Sequence, residues 1–269
     1  MLWTIEEINY LTKSHGYLAY QTIAEDICKT VSSVEHKVKR LGLNKEGKKR
    51  VARLYKVNQD YFQIPNLENS CIAGFIAADG NVCTTRNRLA IELQARDSTY
   101  LENIASLFSS AAIKTTKRGY AKLSVSSWKI VYDLERNFNI TPNKSLTLQH
   151  PNLEKQNALA FIIGNLDGDG SILVRSRKRN RIRKIDNITH NLILSFSGTS
   201  SLLEWIKLEL SKYCDLTNLL VTHSKSNLHV FTITGKKAIT IYKLLNAIDV
   251  PKMERKWNNP DLKLIPGLE

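Results

Sequence analysis

The sequence predicts an α+β protein in which two similar halves follow a small three-helix domain. Segments 71–82 and 161–172 both hold a helix-sized apolar run that ends in Asp-Gly, with the two aspartates 90 positions apart. The same order of strands and helices then follows each run. Each half is therefore predicted to have the order α-β-β-α-β-β-α, and we expect the halves to be related by pseudo-symmetry.

Four further elements correspond between the halves, as strands where apolar residues alternate and as helices where they recur at helical spacing. The corresponding pairs are 89–93 with 192–196, 100–108 with 202–210, 123–126 with 231–234, and 130–138 with 238–245. The second half has 13 additional residues before its second strand. Many of them are basic: Arg175, Arg177, Lys178, Arg179, Arg181, Arg183 and Lys184. A long basic hairpin is best explained by an acidic partner such as DNA.

Residues 1–43 are predicted to form the three-helix domain. Thr4 is a suitable cap for a first helix that ends before Gly16. A second short helix is predicted at 21–27, and a third begins at Ser32 or Ser33. Each helix is too short to be stable alone, so we expect the three to share a small core.

The three-helix domain resembles a Myb-like helix-turn-helix. The matching residues are Trp3, the Ile23-Ala24 pair, and Ser33-Val34 leading into Lys39-Arg40-Leu41-Gly42-Leu43. The resemblance implies that the third helix approaches the DNA major groove. The implied contacts are Ser32, Ser33, His36, Lys37 and Arg40. A trihelical protein-interaction module is the alternative.

Charge supports a nucleic-acid partner. The net charge is +14 over 269 residues, which favours binding to polyanions with strong salt dependence. A basic linker is predicted at 44–66, with the two halves at 67–150 and 151–269. The N-terminus lacks a signal-peptide pattern and no apolar run suits a membrane span. We expect an intracellular protein of a cytoplasm or an organelle matrix.

Both apolar runs resemble the motif of the LAGLIDADG homing endonucleases. The matching segments are Ile72-Ala-Gly-Phe-Ile-Ala-Ala-Asp-Gly80 and Ile162-Ile-Gly-Asn-Leu-Asp-Gly-Asp-Gly170, and the similarity extends over roughly residues 67–257. The resemblance implies two αββαββα halves that form a β-sheet saddle on DNA. It also implies a monomer that cleaves both strands of a long, asymmetric double-stranded site, with Asp79 and Asp169 holding metal.

The residue types of the motif have a physical reason. Small residues recur four positions apart in each run, Gly74 with Ala78 and Gly164 with Gly168. They allow two helices to approach closely, which would bring Asp79 and Asp169 together at the helix ends. Two carboxylates there repel each other unless a cation binds both. Such hard oxygen ligands favour Mg²⁺ or Mn²⁺.

Further site residues are predicted by position. Basic residues beside the last strand of each half would stabilise the transition state. They are Lys122 or Lys129, and Lys236 or Lys237; Lys144 and Lys252 also align. Polar residues that alternate with core positions are candidates for reading bases. They are Arg86, Arg88, Glu92, Gln94, Arg175, Arg177, Ser195 and Ser197.

Two other functions stay open at this stage. A transcription regulator could use a catalytically inactive scaffold of this type, although both aspartates are present. An intron-splicing maturase could bind RNA on the same fold. The chain also departs from the motif at Ala77, where the second copy has Asp167. We expect this difference to make the halves unequal without abolishing cleavage.

Overall fold

A computed structural model describes residues 3–16, 18–43, 55–179, 187–223 and 228–268, except for the side chains of residues 178, 179 and 187. Its first three helices are α1 (Ile5–Ser14), α2 (Tyr20–Asp26) and α3 (Val31–Arg40). Thr4 and Glu7 form a capping box at the start of α1.

The start of α3 was predicted too late. The Thr30 hydroxyl accepts a hydrogen bond from the Ser33 N–H at 3.2 Å, so Thr30 is the cap and Val31 is the first helical residue. Ser32 and Ser33 therefore lie within the first turn. Thr30 has extended backbone angles, which place its hydroxyl over the free N–H groups of that turn.

Each half shows the predicted element order. The first half consists of α4 (Leu67–Asp79), β1 (Gly80–Cys83), β2 (Arg88–Gln94), α5 (Ser98–Ser106), β3 (Lys114–Thr115), β4 (Tyr120–Ser126) and α6 (Trp128–Phe138). The second half consists of α7 (Lys155–Gly168), β5 (Ser171–Arg179), β6 (Asn187–Gly198), α8 (Ser200–Ser211), β7 (Val221–His223), β8 (His229–Thr234) and α9 (Gly235–Asn246), followed by α10 (Glu254–Trp257). Short 3-10 turns lie at Ala95–Asp97, Lys144–Leu146 and Pro260–Leu264.

Each half contains one antiparallel sheet of four strands. The strand orders are β1-β2-β4-β3 and β5-β6-β8-β7, so the two sheets have the same topology. Leu89, Ile91 and Leu93 of β2 are buried, whereas Glu92 and Gln94 are exposed. One face of the sheet therefore packs on the helices and the other faces solvent.

The long basic hairpin predicted for the second half is present. Strands β5 and β6 contain 9 and 12 residues, against 4 and 7 in β1 and β2. Arg181, Arg183 and Lys184 lie outside the described residues, as do residues 44–54 of the predicted basic linker. In the described part of the chain, no helix is long and apolar enough to cross a bilayer.

Helices α4 and α7 form the centre of the molecule and join the two halves. A Cβ atom built on Gly74 would lie 2.0 Å from the Phe161 carbonyl oxygen, and one on Gly164 would lie 1.8 Å from the Cys71 carbonyl oxygen. Only glycine permits such backbone contact. Because the helices are in contact along their length, their C-terminal ends lie together.

Candidate active site

The paired helices bring the two motif aspartates to one place. Asp79 is the last residue of α4, and Asp169 caps the end of α7. A Cβ on Gly168, next to Asp169, would lie 3.5 Å from Asp79 Oδ2. Each carboxylate stands at the end of a helix where free carbonyl groups already make the potential negative.

The local environment disfavours the charged form of both aspartates. Burial and then the negative charge of Asp169 raise the pKa of Asp79 to about 6, although Lys256, Lys144 and Arg255 oppose the shift. Burial likewise raises the pKa of Asp169, although Lys144 and Lys256 oppose the shift. Two acids that repel each other in this way form a natural site for a cation.

Lys144 is the first of two buried lysines beside the aspartates. It lies in the 3-10 turn that follows α6 and is only 6% exposed. Its Nζ donates a hydrogen bond to the Ala78 carbonyl at 3.2 Å. Burial lowers its pKa, while the charges of Asp169 and Asp79 act in the opposite direction. Its ammonium group therefore interacts with both carboxylates.

Lys256 is the second buried lysine beside the aspartates, and α10 places it at the end of α7. Its Nζ lies 2.6 to 3.1 Å from four carbonyl oxygens, those of Leu166, Asp167, Gly168 and Gly170. Burial lowers its pKa to about 8, and nearby acids limit the shift. Lys256 thus stabilises the negative helix end and also faces the aspartates.

The contacts of Asp167 give it a structural role. It is 1% exposed and accepts hydrogen bonds from the Met253 N–H at 2.9 Å, from Trp257 Nε1 at 2.7 Å and from the Tyr100 hydroxyl at 3.4 Å. Met253 and Trp257 flank Lys256, so these bonds hold α10 in place. Burial raises the pKa of Asp167 to about 6. The first half has Ala77 at this position, so the two halves differ here.

Two of the predicted lysines form ion pairs with carboxylates other than Asp79 and Asp169. Lys129 forms ion pairs with Asp133 at 2.9 Å and Asp60 at 3.5 Å. Lys122 pairs with Glu92 at 2.8 Å across β2 and β4, on the exposed face of the sheet.

The second pair of predicted lysines, Lys236 and Lys237, lies at the start of α9. Lys236 is exposed, and Lys237 acts electrostatically on Asp215, a residue of the loop after α8. Lys252, which aligned with Lys144, donates to the carbonyls of Ile248 and Asn246 and lies over the Trp257 ring.

Sequence reasoning missed Lys256 and gave Lys144 no special weight. The two lysines follow their aspartates at different distances, 65 and 87 residues along the chain. They also lie in different local structures, a 3-10 turn and a four-residue helix. No shared spacing or motif marks them, so alignment of the halves selected Lys252 instead.

The residues predicted to read DNA share one face in each sheet. In the first half, Arg88, Glu92 and Gln94 pair with Ser126, Lys122 and Tyr120 of β4, and Arg86 is exposed in the β1–β2 turn. In the second half, Arg175 and Arg177 lie opposite Asn191 and Thr189 of β6. Ser195 lies 3.3 Å from Thr232, and Ser197 continues the same face. Both exposed faces thus carry polar side chains, and the second also exposes Leu173.

The predicted residues of the three-helix domain lie on or beside the outer face of α3. Ser32, His36 and Arg40 are exposed, and Ser33 is half-buried. The ammonium of Lys37 lies 5.5 Å from the centre of the Trp3 ring.

The aspartate pair suits a metal shared with a phosphate. The described residues contain no group of three or more His, Cys, Asp or Glu side chains that could hold a metal ion by themselves. Two carboxylates with open coordination positions match Mg²⁺, which keeps several waters and accepts substrate phosphate oxygens. The mutual repulsion of Asp79 and Asp169 is a second reason for a cation at this site.

Comparison with known proteins identifies the fold. No family model and no curated protein match the chain. Meganuclease I-SmaMI bound to uncleaveable DNA has 13% identity and a TM-score of 0.50, covering 68% of this chain and 85% of that one. The I-SmaMI LAGLIDADG homing endonuclease bound to cleaved DNA has 12% identity and a TM-score of 0.50, covering 72% and 86%. The chain therefore has the fold of the LAGLIDADG homing endonucleases.

Proposed function

We propose that the protein is a site-specific double-strand DNA endonuclease that requires a divalent metal, Mg²⁺ or Mn²⁺. The observation that carries this proposal is the meeting of Asp79 and Asp169 with two buried lysines at the ends of α4 and α7. A purely structural helix end has no need for two repelling carboxylates. Such a cluster is suited to hold and polarise a phosphodiester group.

Each residue has a definite part in the proposed hydrolysis. The two carboxylates would hold the metal, which would supply an activated water and charge stabilisation for the leaving 3′ oxygen. Lys144 donates an N–H group towards the charge that develops on the phosphoryl oxygens, and Lys256, whose N–H groups already bind backbone carbonyls, contributes its positive charge. Their burial keeps water from screening that interaction. One aspartate would serve each strand of the duplex.

The two sheets supply the proposed DNA surface. Their polar faces carry Arg88 and Gln94 in the first half and Arg175 and Arg177 in the second, side chains that can pair with guanine and adenine edges. The net charge of +14 favours contact with phosphates. Because the halves differ in sequence and in hairpin length, one molecule would bind a long asymmetric site as a monomer.

The test is cleavage of the DNA that flanks the gene in its own genome. Purified protein with Mg²⁺ is expected to cut both strands at one site. Asp79→Asn should still bind that site, and its cleavage rate should fall by at least about a hundredfold. Asp261→Asn is the control, since Asp261 is exposed in the C-terminal 3-10 turn. Affinity should fall steeply with added salt.

Other outcomes would reject the nuclease. Tight binding to DNA without nicking, across several metals and a target library, would identify a regulator. Tighter binding to the host intron RNA than to duplex DNA, together with promotion of splicing, would identify a maturase.

A further inference from the structure

The three-helix domain packs against the first half through α6. Trp128, the first residue of α6, contacts the hydrophobic core of that domain. Its ring stacks on Tyr10 of α1 with the ring centroids 5.1 Å apart. Tyr132, one turn further along α6, donates a hydrogen bond to Glu6 at 3.5 Å. The core of the small domain is therefore completed by a residue of the first half.

A chain of hydrogen bonds between buried and half-buried side chains crosses the same interface. The Tyr10 hydroxyl donates to Asp26, which also accepts from Gln59 Nε2 at 2.9 Å. The hydroxyl of Ser127, the cap of α6, donates to the side-chain amide oxygen Oε1 of Gln59. Asp26 is 4% exposed and Ser127 is 2% exposed. Buried polar groups require their partners, so this chain of bonds fixes the orientation of the domain.

The docking position is at the outer end of the first sheet. The Ser127 N–H donates to the Asn87 carbonyl in the β1–β2 turn at 2.8 Å. A cavity of 230 Å³ is lined by Asn9 and Lys13 of α1 and by Thr84 and Asn87 of that turn. Strand β1 begins immediately after Asp79 and runs towards this turn. The four residues of β1 extend about 13 Å, or roughly four base pairs of duplex.

The third helix stays available for a ligand. The interface is formed by α1 and by Asp26 at the end of α2, whereas Ser32, His36 and Arg40 of α3 are exposed. The last turn of α3 carries Lys37, Lys39 and Arg40. A basic helix that follows a short helix and a tight turn suits a DNA major groove.

We propose that the three-helix domain is a fixed outer DNA-binding module: it binds a separate block of the target at constant spacing, on the first half's side of the cleavage centre only. This inference rests on the proposed function. Gln59 and Trp128 are the positioning residues. They act through the orientation of α3 and do not touch the cleaved phosphates.

The experiment selects binding sites from a randomised duplex library, with Ca²⁺ replacing Mg²⁺ so that bound DNA is retained. The wild type should enrich a central motif and one outer block, at least about four base pairs from the centre and on one side. An insertion of about five base pairs, half a helical turn, between motif and block should lower affinity about tenfold.

Variants then test the positioning residues. The first variant combines Trp128→Ala with Gln59→Ala. The second, milder variant is Gln59→Glu, which places a carboxylate against Asp26. Both variants should still enrich the central motif but lose the constant spacing of the outer block. Gln63→Ala is the matched control, because Gln63 is a nearby exposed glutamine. Thermal melting identifies any variant that has unfolded, and the wild-type insertion series stands independently of the variants.

Each outcome separates the two proposals. A central motif without an outer block, or with a block at variable spacing in the wild type, overturns the inference and leaves the nuclease intact. A one-sided block with constant spacing in a protein that never cuts supports the inference and rejects the nuclease. No enriched motif overturns both.

Discussion

Gly74 lies directly against the carbonyl group of Phe161, so close that a Cβ on Gly74 would stand 2.0 Å from that oxygen. The contact joins α4 to α7 and thereby joins the two halves. It explains why the motif requires a small residue here: any side chain would separate the helices and the aspartates at their ends. The position of the active site therefore depends on a backbone contact about one and a half turns away.

Gly74→Ala is expected to destabilise the protein strongly, because the clashing atom belongs to the backbone and cannot rotate away. We expect a loss of about 3 kcal/mol in the free energy of unfolding. Denaturant unfolding measures it. Gly198→Ala is the control, since its Cβ would meet only methyl groups at the ends of side chains, those of Leu202 at 3.3 Å and Leu203 at 3.9 Å. Equal stability of the two variants would show that the backbones of α4 and α7 are not in direct contact at Gly74.

Asp79→Asn is expected to stabilise the metal-free protein. The substitution removes a charge that is partly buried and repelled by Asp169. In EDTA at pH 8 its melting temperature should exceed that of the wild type, with a gain of about 1 kcal/mol in the free energy of unfolding after allowance for the solvent exposure of Asp79. Added Ca²⁺ should raise the melting temperature of the wild type and have less effect on the variant. A less stable variant in EDTA would contradict the described repulsion.

Lys144→Met is expected to slow cleavage about a hundredfold or more, because it removes a buried donor beside both aspartates. DNA affinity in Ca²⁺ should change little. The matched variant is Lys129→Met, whose ammonium is paired with Asp133 and Asp60. Strand-specific nicking assays measure both. A large cleavage defect in Lys129→Met with normal activity in Lys144→Met would reverse the assignment.

Asp167→Ala is expected to cost about 2 to 4 kcal/mol in stability, since it leaves the Trp257 ring N–H and the Met253 N–H without an acceptor. Released from its anchor, α10 should carry Lys256 away from the helix end, which would also lower the cleavage rate. Urea denaturation with Asp261→Ala as control measures the first effect. Unchanged stability would show that these hydrogen bonds do not hold α10.

The sequence by itself determined the repeated architecture and the pairing of the two motif aspartates. Two Asp-Gly runs with small residues four apart specify a close helix pair and place Asp79 and Asp169 at its end. Alternation along 89–93 and 192–196 also predicted which sheet faces are exposed. These features are local, because a period of two or of 3.6 residues is set by backbone geometry and is visible in any single segment.

Only the tertiary structure decided which lysines meet the aspartates and where the first domain sits. Lys144 and Lys256 reach the site through connections of different length, so no sequence offset relates them. The contact of Trp128 with Tyr10 joins residues 118 positions apart in two domains. Such contacts arise when whole elements pack against each other, and the free energy of that packing depends on surfaces that no single segment contains.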